Sequence, residues 1–181
     1  MKKLFLFLIA AAFFLGNAFG QLFNTRSGFI GFYSKTTLED IKAENNQVYA
    51  VIDVVKKNIA FSLLLKGFIF KKELMQQHFN ENYVESDKYP KAYFIGKYTG
   101  ELNVNKEGTY TIPVTGNLTL HNITRVLQTA ATFTIKANIL TGTAQFFIKP
   151  EDFNIAIPSI VRDKITKEIT VSVKINSPLV K

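Results

Sequence analysis

Residues 169–176 read Ile-Thr-Val-Ser-Val-Lys-Ile-Asn, so every second side chain is apolar. In an extended chain, successive side chains point to opposite faces, and this stretch therefore predicts a strand with one apolar and one polar face. Residues 132–137 show the same separation, with Phe133 and Ile135 on the apolar side. Both stretches predict strands that border water on one side.

Other parts of the chain also predict strands, several of them apolar on both faces. They are residues 47–55, 58–70, 92–102, 110–120 and 142–149, separated by glycine, asparagine and lysine turns. Residues 105–108 and the pair Asn45-Asn46 are interpreted as hairpin loops. Seven or eight short strands result, and they predict an all-β fold.

One segment departs from this pattern. Across residues 71–83, Leu74, Met75 and Phe79 recur at helical spacing and no β-branched residue intervenes before the end of the stretch. We expect a single helix there, inserted between strands. Many short strands with one helix favour a closed antiparallel barrel over an open sheet, because closure removes exposed strand edges.

The N-terminal residues 1–20 have the features of a secretory signal peptide. Lys2 and Lys3 form a short basic start, and the following stretch to Leu15 is nearly all apolar. Ala18-Phe19-Gly20 resembles a cleavage site, so we predict that residues 21–181 form the mature protein, as one domain exported to the periplasm or secreted. A transmembrane anchor is the alternative, but the apolar run is shorter than the roughly 20 residues that a bilayer span requires.

The chain is basic, with 22 lysines and arginines against 14 acids and a formal net charge of +8. Loss of Lys2 and Lys3 on processing leaves 20 against 14, or +6. Such a charge favours nucleic acid, an anionic membrane or a pyrophosphate as partner. However, the lysines are scattered, which favours an ordinary solvated surface. There is no cysteine, so no disulfide supports the fold.

The sequence contains few residues that could bind a metal ion or act as a catalytic nucleophile. His78 and His121 are the only histidines and lie far apart, whereas a zinc site needs three or four ligands. We expect His78 on the helix surface or its packing edge, and His121 to order a hairpin through hydrogen bonds. Ser86 and Asp87 are interpreted as turn residues that cap backbone amides. No catalytic residue, metal or cofactor is therefore predicted, and we expect a protein that is not an enzyme.

Three segments carry a resemblance to a known family. Residues 78–83 (HFNENY) and 85–92 (ESDKYPKA) resemble the helix-to-strand segment of YceI-like proteins. Residues 116–124 (GNLTLHNIT) resemble the family's G-x-L-T-x-H-G-V-T hairpin, and residues 152–155 (DFNI) its D-F-G-I segment. Asn122 and Asn154 stand where glycine is usual. Asparagine is the next most tolerant residue of positive φ, so both turns should persist.

The resemblance spans essentially the whole mature chain and implies a specific architecture and role. It implies an extended, lipocalin-like antiparallel barrel, here taken as eight-stranded, in the periplasm. Its lumen would hold a long-chain isoprenoid lipid, of the polyisoprenoid or isoprenoid-quinone type, for storage or transport. The possible bound lipid would be the only small molecule, with no nucleic acid as partner and no integral membrane segment; a homodimer is left open.

Alternation along the strands gives the candidate lumen lining. The inward side chains are predicted to be Phe61, Leu63, Leu65, Phe133, Ile135, Phe146, Ile148, Val171 and Val173. A barrel of this size either holds one small ligand or is filled by its own side chains. A solid barrel would be an envelope structural or interaction protein without lipid. A small outer-membrane barrel is a third reading, against which the polar outward residues Lys136 and Lys174 argue.

Overall fold

The computed structural model describes residues 22–35, 40–157 and 168–180. The predicted signal peptide lies outside these residues. The strands are β1 (Leu22–Ser34), β2 (Ile41–Asp53), β3 (Asn58–Leu64), β4 (Ile69–Phe70), β5 (Lys91–Tyr98), β6 (Gly108–Leu120), β7 (Ile123–Lys136), β8 (Ile139–Ile148) and β9 (Ile169–Val180). One helix, α1 (Glu73–His78), continues into a single π-helical turn, Phe79–Tyr83, and short 3₁₀ turns occur at Leu65–Gly67 and Pro150–Phe153.

Eight strands close into an antiparallel barrel. The order around the ring is β1-β9-β8-β7-β6-β5-β3-β2, and β2 pairs back with β1. The short strand β4 adds to β2 outside this ring. The all-β, eight-stranded antiparallel barrel with one inserted helix is therefore confirmed. Closure pairs the strands on both sides and leaves no long edge for another chain to add to.

The hairpin between β6 and β7 forms where the sequence predicts it. His121 and Asn122 occupy its two turn positions with φ of 50° and 60°. Positive φ at both central residues belongs to a type I′ turn, whose twist matches that of the flanking strands. Asn154 also has positive φ, 54°, so both asparagines adopt the left-handed conformation that was expected of them.

The predicted hairpin at Asn45-Asn46 is wrong. These residues lie within β2, where the pairing with β1 shifts register between Thr25 and Ile30. The shift is a bulge, and it changes which side chains point inward: Ala43 and Asn45 are buried before it, and the buried set moves to even-numbered residues after it. Asparagine therefore marks an irregularity inside a strand here and not a chain reversal.

The side chain of Asn45 holds this bulge together. It is fully buried, donates through Nδ2 to the Leu64 carbonyl at 3.0 Å, and accepts from the Gln47 amide at 2.8 Å. Gly67 lies directly against it, since a Cβ on that residue would approach Asn45 Nδ2 to 2.7 Å. The predicted single strand 58–70 is interrupted at this place, because the chain turns at Leu65–Gly67 between β3 and β4.

Replacement of Asn45 tests this role. We expect Asn45→Ala to lower the free energy of unfolding by about 1–3 kcal/mol, because it leaves buried backbone groups without hydrogen-bond partners. The neighbouring Asn46 is exposed, so Asn46→Ala serves as the matched control with little expected change. Equilibrium unfolding in guanidinium chloride measures both. Equal losses in the two variants would contradict the role assigned to Asn45.

Candidate functional site

The interior of the barrel is packed differently at its two ends. At the end away from α1, buried side chains meet across the barrel and form one continuous core. Its members include Phe23, Ala50, Ile52, Ile59, Tyr98, Ile112, Phe133, Ile135, Leu140 and Ile175. The hydroxyl of Tyr98 donates to the Val54 carbonyl at 3.2 Å, and burial raises the pKa of Tyr98 to about 12. We call this region the filled half.

The end that carries α1 encloses a cavity of about 310 Å³. We call this region the hollow half. Its wall is almost entirely apolar and comes from the strands, α1, the π-helical turn and the segment after Pro150. The lining includes Ile30, Phe32, Leu63, Leu65, Phe68, Phe70, Met75, Phe79, Leu118, Leu120, Phe146, Ile148, Ile155, Ile169 and Val171. This volume lies at the small end of the range for ligand pockets, roughly 300–1,000 Å³.

A second cavity of about 90 Å³ lies deeper in the barrel. The two cavities share wall residues, namely Ile30, Leu63, Ala92, Leu118 and Phe146. They are therefore adjoining parts of one lumen, separated by a constriction at these side chains. Phe94 and Phe133 line the deeper cavity and also belong to the packed core, so they form the floor at which the hollow half ends.

Four phenylalanine rings pack against one another around the main cavity. Phe32 contacts Phe68, Phe70 and Phe79, with ring centroids 5.2, 5.7 and 5.5 Å apart. Phe79 also lies 5.6 Å from Phe68 and 5.1 Å from Phe70. Such edge-to-face and tilted pairs stabilise the arrangement beyond the burial of their area. The cluster packs the π-helical turn against the barrel and makes this wall of the cavity apolar.

Few polar side chains reach the main cavity. Ser34, His78 and Tyr83 contribute to its wall, and burial raises the pKa of Tyr83. His78 is exposed to solvent as well, so the cavity reaches the surface beside α1. The predicted position of His78, on the helix surface or its packing edge, is confirmed.

The structure places eight of the nine predicted lining residues on cavity walls. Leu65, Ile148 and Val171 line the main cavity, whereas Phe61, Phe133 and Val173 line the deeper one. Leu63 and Phe146 line both. Ile135 lines neither cavity and is packed in the filled half, so its placement in an open lumen is wrong. Ligand contact by the other eight stays a prediction.

Sequence reasoning missed a large share of the wall. The missed residues come from β1, β4 and the residue before it, α1, the π-helical turn and β6, and include Ile30, Phe32, Phe68, Phe70, Met75, Phe79 and Leu118. The helical spacing of Met75 and Phe79 indicated which face is buried but not that it borders a cavity. The phenylalanines Phe68, Phe70 and Phe79, just before and within the predicted helix, were the available signal.

His121 ties the β6–β7 hairpin to two neighbouring segments. Its Nδ1 donates to the Phe153 carbonyl at 3.0 Å, and its Nε2 lies 2.8 Å from Glu85 Oε2. The ring of Tyr89 packs edge-on against the imidazole, with centroids 4.5 Å apart. The hydrogen-bonding role predicted for His121 is confirmed, and its partners join the hairpin to the segment after the π-helical turn and to the 3₁₀ turn Pro150–Phe153.

The Glu85–His121 contact predicts acid sensitivity. The hydrogen bond from His121 lowers the pKa of Glu85 from its ordinary value of 4.5. A carboxyl with a lowered folded-state pKa stabilises the fold above its unfolded pKa, and that stabilisation is lost as pH falls through the folded value. We expect the melting temperature of the parent to fall more steeply below pH 4.5 than that of Glu85→Gln.

The matched control for this experiment is Glu101→Gln, because Glu101 is exposed on the loop after β5. Thermal melts followed by circular dichroism, from neutral pH downward, compare the three proteins. A Glu85→Gln variant with the same acid dependence as the parent would contradict the assigned contact.

The turn after the π-helical segment differs in part from expectation. Lys88 and Tyr89 amides both donate to the Glu85 carbonyl at 2.8 Å, which confirms the turn. However, Ser86 Oγ is buried and has no hydrogen-bond partner within the described residues, and Asp87 pairs with Lys66 Nζ at 2.5 Å. The predicted capping of backbone amides by these two side chains is therefore wrong, because burial turns one inward and an ion pair holds the other at the surface.

In residues 22–35, 40–157 and 168–180, no group of three or more histidine, aspartate or glutamate side chains is arranged to hold a metal ion. Over the same ranges, no helix has the length and apolar character needed to cross a bilayer.

Comparison with known families and structures extends these observations. The family model described as the YceI-like domain matches residues 15–177. A search of curated protein sequences finds no significant match.

Several solved structures share the fold. A polyisoprenoid binding domain from Saccharophagus degradans, implicated in plant cell wall breakdown, superposes with a TM-score of 0.74 at 12% identity, over 89% of this chain and 99% of that one. BcnA of Burkholderia cenocepacia gives 0.69 at 14% identity, over 82% and 95%. The YCEI protein of Campylobacter jejuni gives 0.67 at 17% identity, over 81% and 90%. At these identities the likeness concerns the fold alone.

Proposed function

Because the chain belongs to the YceI-like family, we propose that it binds, stores or transports a long-chain apolar lipid inside the hollow half of its barrel. The observation that carries this proposal is the main cavity of about 310 Å³, whose wall is apolar apart from Ser34, His78 and Tyr83 as far as residues 22–35, 40–157 and 168–180 form it. A cavity walled by hydrocarbon excludes water and leaves its space to an apolar chain.

Hydrophobic transfer supplies the affinity. Each methylene-sized unit that leaves water for this cavity contributes about 0.8 kcal/mol, so an apolar tail binds firmly with few polar contacts. The constriction at Leu63 and Phe146 leads to the deeper cavity of about 90 Å³, where the tip of a tail would end. The floor at Phe94 and Phe133 sets the limit of insertion.

We assign the ligand to the polyisoprenoid or isoprenoid-quinone class. Support comes from the family and from the structural neighbour that is itself a polyisoprenoid binding domain. A branched, flexible tail also suits a lumen lined by many phenylalanine, leucine and isoleucine side chains, since apolar ligand pockets are lined in this way. A polar head would lie near His78, where the cavity reaches the surface.

The proposed role is binding without bond chemistry. A carrier or store requires a dry lumen and an opening, and both features lie on the same end of the barrel. We place this role in the periplasm or outside the cell, which the basic and apolar pattern of residues 1–20 and the family support.

The proposal is tested on protein purified from its native host. Organic solvent extracts any bound lipid from this protein, and mass spectrometry identifies the lipid. We expect one long-chain isoprenoid lipid in roughly stoichiometric amount. The intact mass of the same sample should correspond to a chain that begins at Gln21. Protein without any stoichiometric lipid would overturn the carrier role, and a chain that retains Met1 would overturn the predicted export.

A further inference from the structure

The segment Leu64–Leu74 forms part of the cavity wall and also part of the protein surface; we call it the docking segment. Its inward side chains Leu65, Phe68 and Phe70 are buried and line the main cavity. It passes from β3 through the Leu65–Gly67 turn and β4 into α1. The Phe70 amide donates to Gln76 Oε1 at 3.1 Å, which joins the strand to the helix.

The outward side chains of the docking segment are unusually apolar for a surface. Leu64 is 52% exposed, Ile69 63% and Leu74 62%. Large apolar side chains scattered singly over a surface need no explanation, but several within one short segment indicate an interaction site. This segment is also the outer side of the wall that the candidate ligand would touch.

Lysines surround these apolar side chains. Four exposed lysines lie on or beside the docking segment: Lys66, Lys71, Lys72 and Lys91, the last paired with Leu64 across β3 and β5. Lys66 is paired with Asp87, and the neighbouring Lys42–Glu44 ion pair is neutral. Within the described part of the docking segment, Glu73 is the acidic side chain that offsets Lys71, Lys72 and Lys91. The net charge of these side chains is therefore positive. Apolar side chains interleaved with lysines complement a bilayer that carries anionic headgroups.

We propose that the docking segment binds the surface of an anionic lipid bilayer. Leu64, Ile69 and Leu74 enter the boundary between headgroups and acyl chains, while the lysines contact the anionic headgroups. This orientation brings the opening beside α1 close to the membrane. Lipid could then pass from the membrane through this opening into the lumen, and this consequence alone rests on the proposed function. Docking itself does not require a ligand in the barrel.

Sedimentation with vesicles of phosphatidylethanolamine and phosphatidylglycerol tests the proposal, with phosphatidylcholine vesicles as the neutral comparison. Protein is taken from the soluble fraction of expressing cells, and all variants keep the same N-terminal residues. The test variant combines Leu64→Ser, Ile69→Ser and Leu74→Ser. The matched control combines Ile95→Ser, Val126→Ser and Phe147→Ser, which are similarly exposed at 62%, 69% and 61% on strands of the barrel.

We expect the parent to bind anionic vesicles more tightly than neutral ones, and to lose affinity as salt is added. The test variant should bind at least about tenfold more weakly, whereas the control should bind as the parent does. Lys71→Gln, which changes no apolar side chain, should weaken binding about fivefold. Circular dichroism of each variant establishes that it is folded.

Equal binding by the test and control variants would overturn the proposal, as would binding that is the same for neutral and anionic vesicles. Conversion of a dimeric parent to a monomer by the test variant, without an effect on vesicle binding, would also overturn it and assign the surface to a second copy of the chain. A variant with a blocked lumen, Ala92→Phe, should still bind vesicles. Docking by parent protein that carries no stoichiometric lipid when purified from its native host would retain this inference and refute the carrier role alone.

Discussion

Ala92→Phe is expected to abolish most lipid binding while the barrel stays folded. Ala92 lies on β5 opposite Leu63 and lines both cavities, so a phenyl group there fills the constriction between them. Each methylene that the ring excludes costs about 0.8 kcal/mol. Exclusion of several methylenes should weaken binding about a hundredfold. The lipid content of purified protein, measured by mass spectrometry after extraction, reports the effect.

The control for this variant is Ala130→Phe. Ala130 is exposed on β7, so the same change adds a phenyl group outside the barrel and should leave the lipid content unchanged. If Ala92→Phe does not fold, Leu118→Phe narrows the same constriction from β6, because Leu118 also lines both cavities. Equal lipid content in parent and lumen variants, all folded, would place the ligand elsewhere.

Leu140→Ala and Leu120→Ala are expected to differ in their effect on stability. Leu140 is fully buried in the filled half, so its truncation leaves a void in a packed core and should cost about 2–5 kcal/mol. Leu120 is half-buried on the wall of an existing cavity. Its truncation only enlarges that cavity and should cost about 1–2 kcal/mol.

Equilibrium unfolding in guanidinium chloride measures this difference. The protein must first be freed of lipid, because a ligand that binds only the folded state would add to the apparent stability of the parent. Equal losses in the two leucine variants would indicate that both halves of the barrel are packed alike. That result would contradict the distinction between a filled and a hollow half.

The strand faces that could be predicted most directly are those whose apolar alternation is uninterrupted. Residues 169–176 and 132–136 lie within β9 and β7, and Phe133, Ile135, Val171 and Ile175 point inward as predicted, whereas Ala137 lies in the exposed turn after β7. Strand β1 was not predicted, and the start of β2 was also missed. In both, a bulge shifts the inward set by one residue, near Ser27 in β1 and near Asn46 in β2. A period of two cannot be followed through such a shift.

The candidate site could be predicted only in part for a related reason. Alternation indicates whether a side chain points into the barrel, but not how far along the barrel axis it lies. Val171 and Ile135 both point inward, yet one borders the main cavity and the other is packed in the filled half. Inward side chains fill the lumen only where side chains from other strands face them at the same level. The pairing of the strands determines those neighbours, and the sequence of one strand does not contain this information.

The turn residues Asp87 and His121 illustrate the same limit. Both were read as turn residues, and both lie in turns. The ion pair of Asp87 with Lys66 and the contact of His121 with Phe153 join residues far apart in sequence. Local propensity predicts the turn itself, whereas closure of the barrel determines which distant group each side chain meets.

The most direct test of a lipid-filled hollow half is a crystal structure of the protein purified with its lipid from the native host. We predict continuous density for an apolar chain that enters beside His78, passes between Leu118 and Phe146, and ends above Phe133. A lumen without such density, or a lipid bound only on the outer surface of the barrel, would contradict the account.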